Sequence, residues 1–124
     1  MNVTKHFSVE EFSCNDGTPY PEEWIAERLV PLCKALELIR AIWGRPIKIN
    51  SGYRTPTYNK KVGGSRASKH MDGIAADITM DGIYPTRVFE IMDRLMDVGA
   101  IPKGGLHAYN TFVHYDTRGK VARW

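Results

Sequence analysis

Cysteine is scarce: Cys14 and Cys33 are the only two in 124 residues, too few for a fold stapled by disulfides. They form no C-x-x-C pair, which speaks against a cysteine-based metal site. The one pairing open to them is with each other, and Cys33 falls within an apolar helical pattern that reads as a buried thiol. Long apolar runs are missing as well; none approaches the roughly 18 residues of a membrane-spanning helix. The opening MNVTKHFSVEEF carries an early lysine but not the apolar segment of an export signal, so any export route is not written in this stretch. There is no dense lysine–arginine stripe either. Seventeen basic against fourteen acidic residues give a formal charge of +3, and nucleic acid is not an expected partner. Internal repeats, low-complexity tracts and long linkers are absent. What is present is ordinary: 43% hydrophobic and 25% charged residues suit one domain over residues 1–124 with one modest core.

Residues 1–20 look irregular or briefly helical. Ser8 with Glu11 three positions on has the form of a capping box, and Phe7 and Phe12 are the apolar anchors of that arm. CNDGTPYP reads as loop. From Pro21 the pattern turns helical, with Glu22 and Glu23 complementing the amino end. Ile25, Leu29, Leu32, Leu36, Ile39 and Trp43 recur at intervals of three and four and form a core-facing stripe. Pro31 should bend this helix or split it, and Gly44 should end it. Residues 47–51 alternate as a short strand, and 52–64 read as loop with one helical turn. In residues 74–80, Ala76, Ile78 and Met80 share a core face, while Ala75, Asp77 and Thr79 share the other. A second helix is expected over 86–98, with Val88, Ile91 or Met92, and Leu95 inward. Its methionines read as core fillers, and Trp24 and Trp43 as packing residues. Strands follow Gly104, with Phe112, His114 and Asp116 on one face and Val113 and Tyr115 on the other. Each apolar stripe is accounted for by one core, so the expected state is a monomer.

The chemistry-bearing residues gather in 51–79 and in 112–119. Two imidazoles, His70 and His114, and the carboxylate of Asp77 suit a borderline cation such as zinc and leave a position for water. Asp77 lies in a strand whose other face is apolar, and a buried carboxylate needs a partner or a metal. The spacing H-x6-D is a loose signal by itself. On the residues alone a second arrangement stays open: His70 capping a loop, Asp77 in a salt bridge, His114 a satisfied core residue. His6 and His107 stand in no comparable setting, and His107 reads as a structural or surface residue.

The runs SGYRTPTYN at 51–59, SKHMDGIAADI at 68–78 and FVHYDTRG at 112–119 together resemble the zinc D-alanyl-D-alanine carboxypeptidase and phage endolysin family of peptidoglycan peptidases. Within it they resemble the short branch that ends in a histidine-hydrophobic-aspartate strand. The resemblance extends to the opening KHFSVEEFSC and the closing RGKVARW. It implies a small α+β domain, mainly antiparallel sheet, that carries a zinc site and is flanked by helices. It implies Zn2+ held by His70, Asp77 and His114, with Arg54 holding the substrate carbonyl or its oxyanion and Ser68 offering its hydroxyl to the substrate's backbone or terminal carboxylate. Arg54 bracing Asp77 or a loop carbonyl, and Ser68 stabilising a turn, remain the alternatives.

One position departs from the family pattern. Better-known members place an acid three residues before the last histidine, as general base; here that residue is Thr111. Asp116 is the nearest carboxylate on the right face. It is expected either to take the water's proton or to hold the His114 imidazole by its other nitrogen. Asp72 is a weaker candidate for the base. The implied activity is that of a zinc metallopeptidase, of D,D-carboxypeptidase or endopeptidase type, acting on peptidoglycan stem or crosslink peptides. The alternative is an inactive zinc-containing binding or structural module of the same fold, for example a phage particle component. Location stays open between accumulation before lysis and delivery in a particle.

Overall fold

The computed structural model describes residues 1–124. The apolar stripe beginning at Ile25 organises the core. After Pro21 the chain makes a 3-10 turn at Glu22–Trp24 and a π-wound turn at Ile25–Leu29, then becomes α-helix α1 at Val30–Trp43. Pro31 has no N–H, and its ring crowds the carbonyl of the preceding turn. The chain accommodates it by widening that turn, where the Val30 N–H donates to the Ile25 carbonyl. The expected break is therefore a change of winding. Leu29, Leu32, Leu36 and Ile39 are fully buried, and Ile25 and Trp43 pack at the edges of the cluster. Each buried leucine or isoleucine contributes about 1.5–3 kcal/mol through removal from water.

Two short strands open the chain, β1 at Asn2–Thr4 and β2 at Phe7–Ser8. The main sheet consists of β3 at Ile47–Ser51, β4 at Ala75–Met80, β5 at Leu106–Ala108 and β6 at Val113–Asp116, in the order β3-β4-β6-β5. Every neighbouring pair is antiparallel. Helices α2, Pro56–Lys61, and α3, Pro85–Asp97, complete the α+β architecture. Alternation along β4 sends Ala76, Ile78 and Met80 into a core shared with α1, α3, Val113 and Tyr115. The opposite face carries Asp77, paired in register with Ser51 on β3 and with His114 on β6. Directly opposed residues of antiparallel strands share a face, so the sheet itself brings Asp77 and His114 together.

Several expectations are adjusted. The β1–β2 pair lies where irregular or briefly helical chain was expected; it is short and irregular in register, so no alternation betrays it in sequence. The Ser8–Glu11 capping box forms just after it, and Phe7 and Phe12 are buried as expected. In α3 the inward residues are Val88, Met92 and Met96, with Leu95 at the edge; a strict i, i+4 row faces the sheet. Cys14 and Cys33 are both buried and unpaired with each other. Burial pushes the Cys33 thiol up to about 12, so it stays protonated and unreactive. No helix is long and apolar enough to cross a membrane.

Candidate metal centre

His70, Asp77 and His114 each offer one donor atom, and the three atoms lie within 4.8 Å of one another. Asp77 Oδ1 stands 3.1 Å from His70 Nε2 and 3.2 Å from His114 Nδ1. The remaining nitrogen of each ring is already committed. His70 Nδ1 is 2.7 Å from the Gly52 carbonyl, which can only accept, and His114 Nε2 is 2.8 Å from Asp116 Oδ2. Each neutral imidazole therefore carries its proton on the outer nitrogen and turns a lone pair toward Asp77. Two lone pairs and a carboxylate oxygen converging in a buried space require a proton or a cation between them. Two imidazoles and one carboxylate are a donor set that zinc takes, with a further position left for water.

The donors are held by two kinds of structure. Asp77 and His114 are fixed by strand register. His70 sits in the turns after Gly64, where the Arg54 N–H donates to its carbonyl at 3.0 Å. That loop is braced from behind: Tyr20 Oη donates to the Gly73 carbonyl at 2.6 Å. Tyr20, Trp24 and Tyr53 pack edge to face with centroids 5.8–6.4 Å apart. A Cβ at Gly73 would meet Trp24 and Tyr20 at 2.8 Å, and its φ of +72° is unfavourable for other residues. Trp24 is thus a packing residue, as expected, and one that braces the loop carrying the candidate ligand His70.

Asp116 is not placed to act as a base on water. It has no exposed surface. Its Oδ1 accepts from the N–H groups of Gly105 and Arg118 and from Arg118 Nε at 2.9–3.1 Å. Its Oδ2 accepts from Arg118 Nη2 at 2.7 Å and from His114. Burial alone would raise this carboxyl, but Arg118, His114 and the Gly105 N–H outweigh it and hold it well below the usual carboxylate range. Of the two roles expected for Asp116, the geometry matches the one that holds His114 by its outer nitrogen. Gly104 and Gly105 make room for this: a Cβ at Gly105 would lie 2.4 Å from Asp116 Oδ2, and one at Gly104 would lie 1.7 Å from the Asp116 carbonyl oxygen.

Arg54 has a protein partner at every nitrogen: Nε donates to Ser51 Oγ at 3.0 Å, Nη1 to Asn59 Oδ1 at 3.3 Å and Nη2 to Asp77 Oδ2 at 3.1 Å. It occupies the second oxygen of Asp77 and leaves Oδ1 to the histidines, while also lining the cleft. Ser68 lines the cleft too, and its Oγ accepts the His70 N–H at 3.2 Å, which stabilises the turn and leaves its own O–H free. Asp72 is exposed beside Lys69, at 3.7 Å, and is not part of the cleft wall.

The donors open into a cleft of about 530 Å³. One wall is aromatic, and the reading of the sequence missed it. Trp124 packs edge-on to His114 at 5.1 Å and stacks on His107 at 5.3 Å. Its Nε1–H donates to Tyr109 Oη at 3.1 Å, and Tyr109 stacks on Phe112 at 4.6 Å. Arg118 and Asn59 were missed as well. The signals available were the glycine pair before β5 and an arginine two residues after Asp116.

Residues 5–116 match the family described as peptidase M15. The chain belongs to the peptidase M15 family. A stretch of 53 residues is 42% identical to the zinc D-Ala-D-Ala carboxypeptidase of Streptomyces albus G, covering 43% of this chain and 21% of that protein. The chain thus matches about a fifth of that relative's length. The family suggested by the motifs is therefore the one found, and the buried cluster in this M15 chain supplies the donor set its chemistry calls for.

A pH prediction follows from the shared carboxylate. Burial opposes the charged His114 ring, but hydrogen bonds to Asp116 and Asp77 prevail and raise it above its ordinary value. In metal-free protein its stabilising charge is fully present below the unfolded value and is lost as pH rises through the folded one. Asp77 is opposed by burial and held low by His114 and His70; its contribution is lost only on strong acidification. Zinc needs both rings unprotonated. The gap in unfolding temperature between zinc-loaded and chelated protein should therefore widen as pH rises from below the ordinary histidine value to well above it. Thermal unfolding across that range checks it; a constant gap would remove the proton-for-metal account.

Proposed function

We propose that this M15 chain is a zinc-dependent hydrolase that cuts peptide bonds in peptidoglycan stem or crosslink peptides. The observation that carries the reading is the convergence of His70 Nε2, Asp77 Oδ1 and His114 Nδ1 with both outer nitrogens already occupied. Zinc held by these three would acidify a water and polarise a carbonyl. The chain's own groups do the rest. Arg54 holds Asp77 Oδ2 and so keeps Oδ1 aimed at the two histidines. The second hydrogen on each Nη remains available to a substrate carbonyl as negative charge develops there. The free Ser68 hydroxyl donates to the peptide backbone, and the aromatic wall of Tyr109, Phe112 and Trp124 excludes water from one side of the cleft. The named relative acts on D-Ala-D-Ala, which makes a D-alanyl bond the first to test.

A second reading rests on a specific observation: Asp77 is the one carboxylate lining the cleft, and it is committed as a ligand. Thr111 cannot accept a proton in place of the missing acid. This favours a zinc-holding module that binds wall peptides without turnover. Digestion of purified peptidoglycan, with mass analysis of the products and zinc content measured alongside, separates the two. A defined fragment that disappears on chelation and returns with zinc supports the hydrolase. One zinc per chain with no fragment from several wall types supports the binding module.

A further inference from the structure

Three cations line the metal cleft, Arg54, Lys69 and Arg118, against the single carboxylate of Asp77. Their donors are not equally free. Arg54 is engaged at each nitrogen, and Lys69 lies 3.7 Å from Asp72 at the surface. Arg118 uses Nε and Nη2 on Asp116, which leaves Nη1 as the arginine nitrogen of this cleft without a protein partner. The side chain is held rigidly by the two-point clamp on a wholly buried carboxylate and by the Trp124 ring, whose centroid lies 5.7 Å from its Cζ. It remains 22% exposed. A fixed guanidinium edge facing a cleft, with its opposite edge already neutralised, is suited to bind one further anionic group.

We propose that Arg118 is a specificity-determining residue that reads a free carboxylate on the substrate, so that the cleft prefers peptides ending there over peptides that continue. This rests on the peptidase reading for its substrate class, but the recognition itself does not require turnover. The carboxylate would sit against Nη1, on the aromatic side of the cleft, and the amide nitrogen of a continuing chain would face a cation with no charge to offer. The same residue also positions His114 through Asp116, so the two roles have to be separated.

The test is calorimetric binding of a non-hydrolysable ketomethylene analogue of an acetylated peptide ending in D-Ala-D-Ala, compared with its C-terminal amide. Both are titrated into zinc-loaded and metal-free wild type, Arg118→Gln and Arg118→Lys, with zinc content measured for each. Wild type is expected to prefer the acid by about tenfold or more, with part of the preference retained in metal-free protein. Arg118→Gln should fall to within about twofold, and Arg118→Lys, which keeps the charge, should keep part of the preference. Should Arg118→Gln fail to hold zinc, its metal-free form and Arg118→Lys decide. Equal affinity for acid and amide in wild type, or a full preference in Arg118→Gln, overturns the proposal. Preference without cleavage of peptidoglycan would sink the hydrolase reading and leave this one standing. Cleavage without preference would do the reverse.

Discussion

Asp116→Ala protein should unfold far below the wild type and bind zinc about 10–100-fold more weakly. The side chain has no exposed surface and accepts from Gly105, Arg118 and His114. Removing it leaves the buried His114 Nε2–H without its acceptor and the half-buried Arg118 guanidinium without its clamp. Loss of one member of such a network costs about 3–5 kcal/mol, which for a chain of this size lowers the midpoint by roughly 10–20 °C. Asp116→Asn separates the two roles first open to this residue. Asparagine can still accept from one donor, but its NH2 then faces another N–H. It should be destabilised less than alanine, with weakened zinc. If Asp116 were instead the base, Asp116→Asn would keep both stability and zinc and lose only kcat. Thermal unfolding, a zinc titration and a rate on the same samples distinguish these outcomes.

His114→Ala should give the largest functional loss. It removes one of three metal donors outright, and the drop in zinc affinity should exceed the roughly 10–100-fold expected from losing a supporting group. Hydrolysis should fall to background at zinc concentrations that saturate the wild type. His70→Ala should behave alike in metal content. Asp77→Ala should be worse in stability, because it strands Arg54, which donates to Asp77 Oδ2 at 3.1 Å. A competition titration against a chromophoric chelator measures the metal; retention of wild-type zinc affinity by His114→Ala would exclude it as a ligand.

Much of the frame could be read from residue order because it depends on local period. The stripe from Leu29 to Ile39 repeats at helical spacing and is buried. The alternation along β4 separates Ala76, Ile78 and Met80 from Asp77 over a few residues. Pro31 announced a disturbance, though not its form: a π-wound turn costs less than breaking the helix when both sides of the proline are buried in one core. The β1–β2 pair stayed hidden because strands this short leave no pattern. Met96 displaced Leu95 because the direction of approach of the sheet, not the period, selects which of two adjacent rows faces inward.

The site divides along the same line. The residue types at 70, 77 and 114, and the strand faces of Asp77 and His114, were set by the sequence alone, since donor chemistry and strand alternation are local properties. Whether Asp116 faced water or the back of an imidazole was not, because alternation specifies a side of the sheet and not what covers it. That was decided by contacts between distant segments. The register pairs Asp77 with His114, the Gly104–Gly105 backbone closes over Asp116, Arg118 clamps its carboxylate, and Trp124 leans on His114. A carboxylate is a base, a ligand or a buried anchor according to which donors reach it first, and only the folded chain brings those donors within hydrogen-bonding distance.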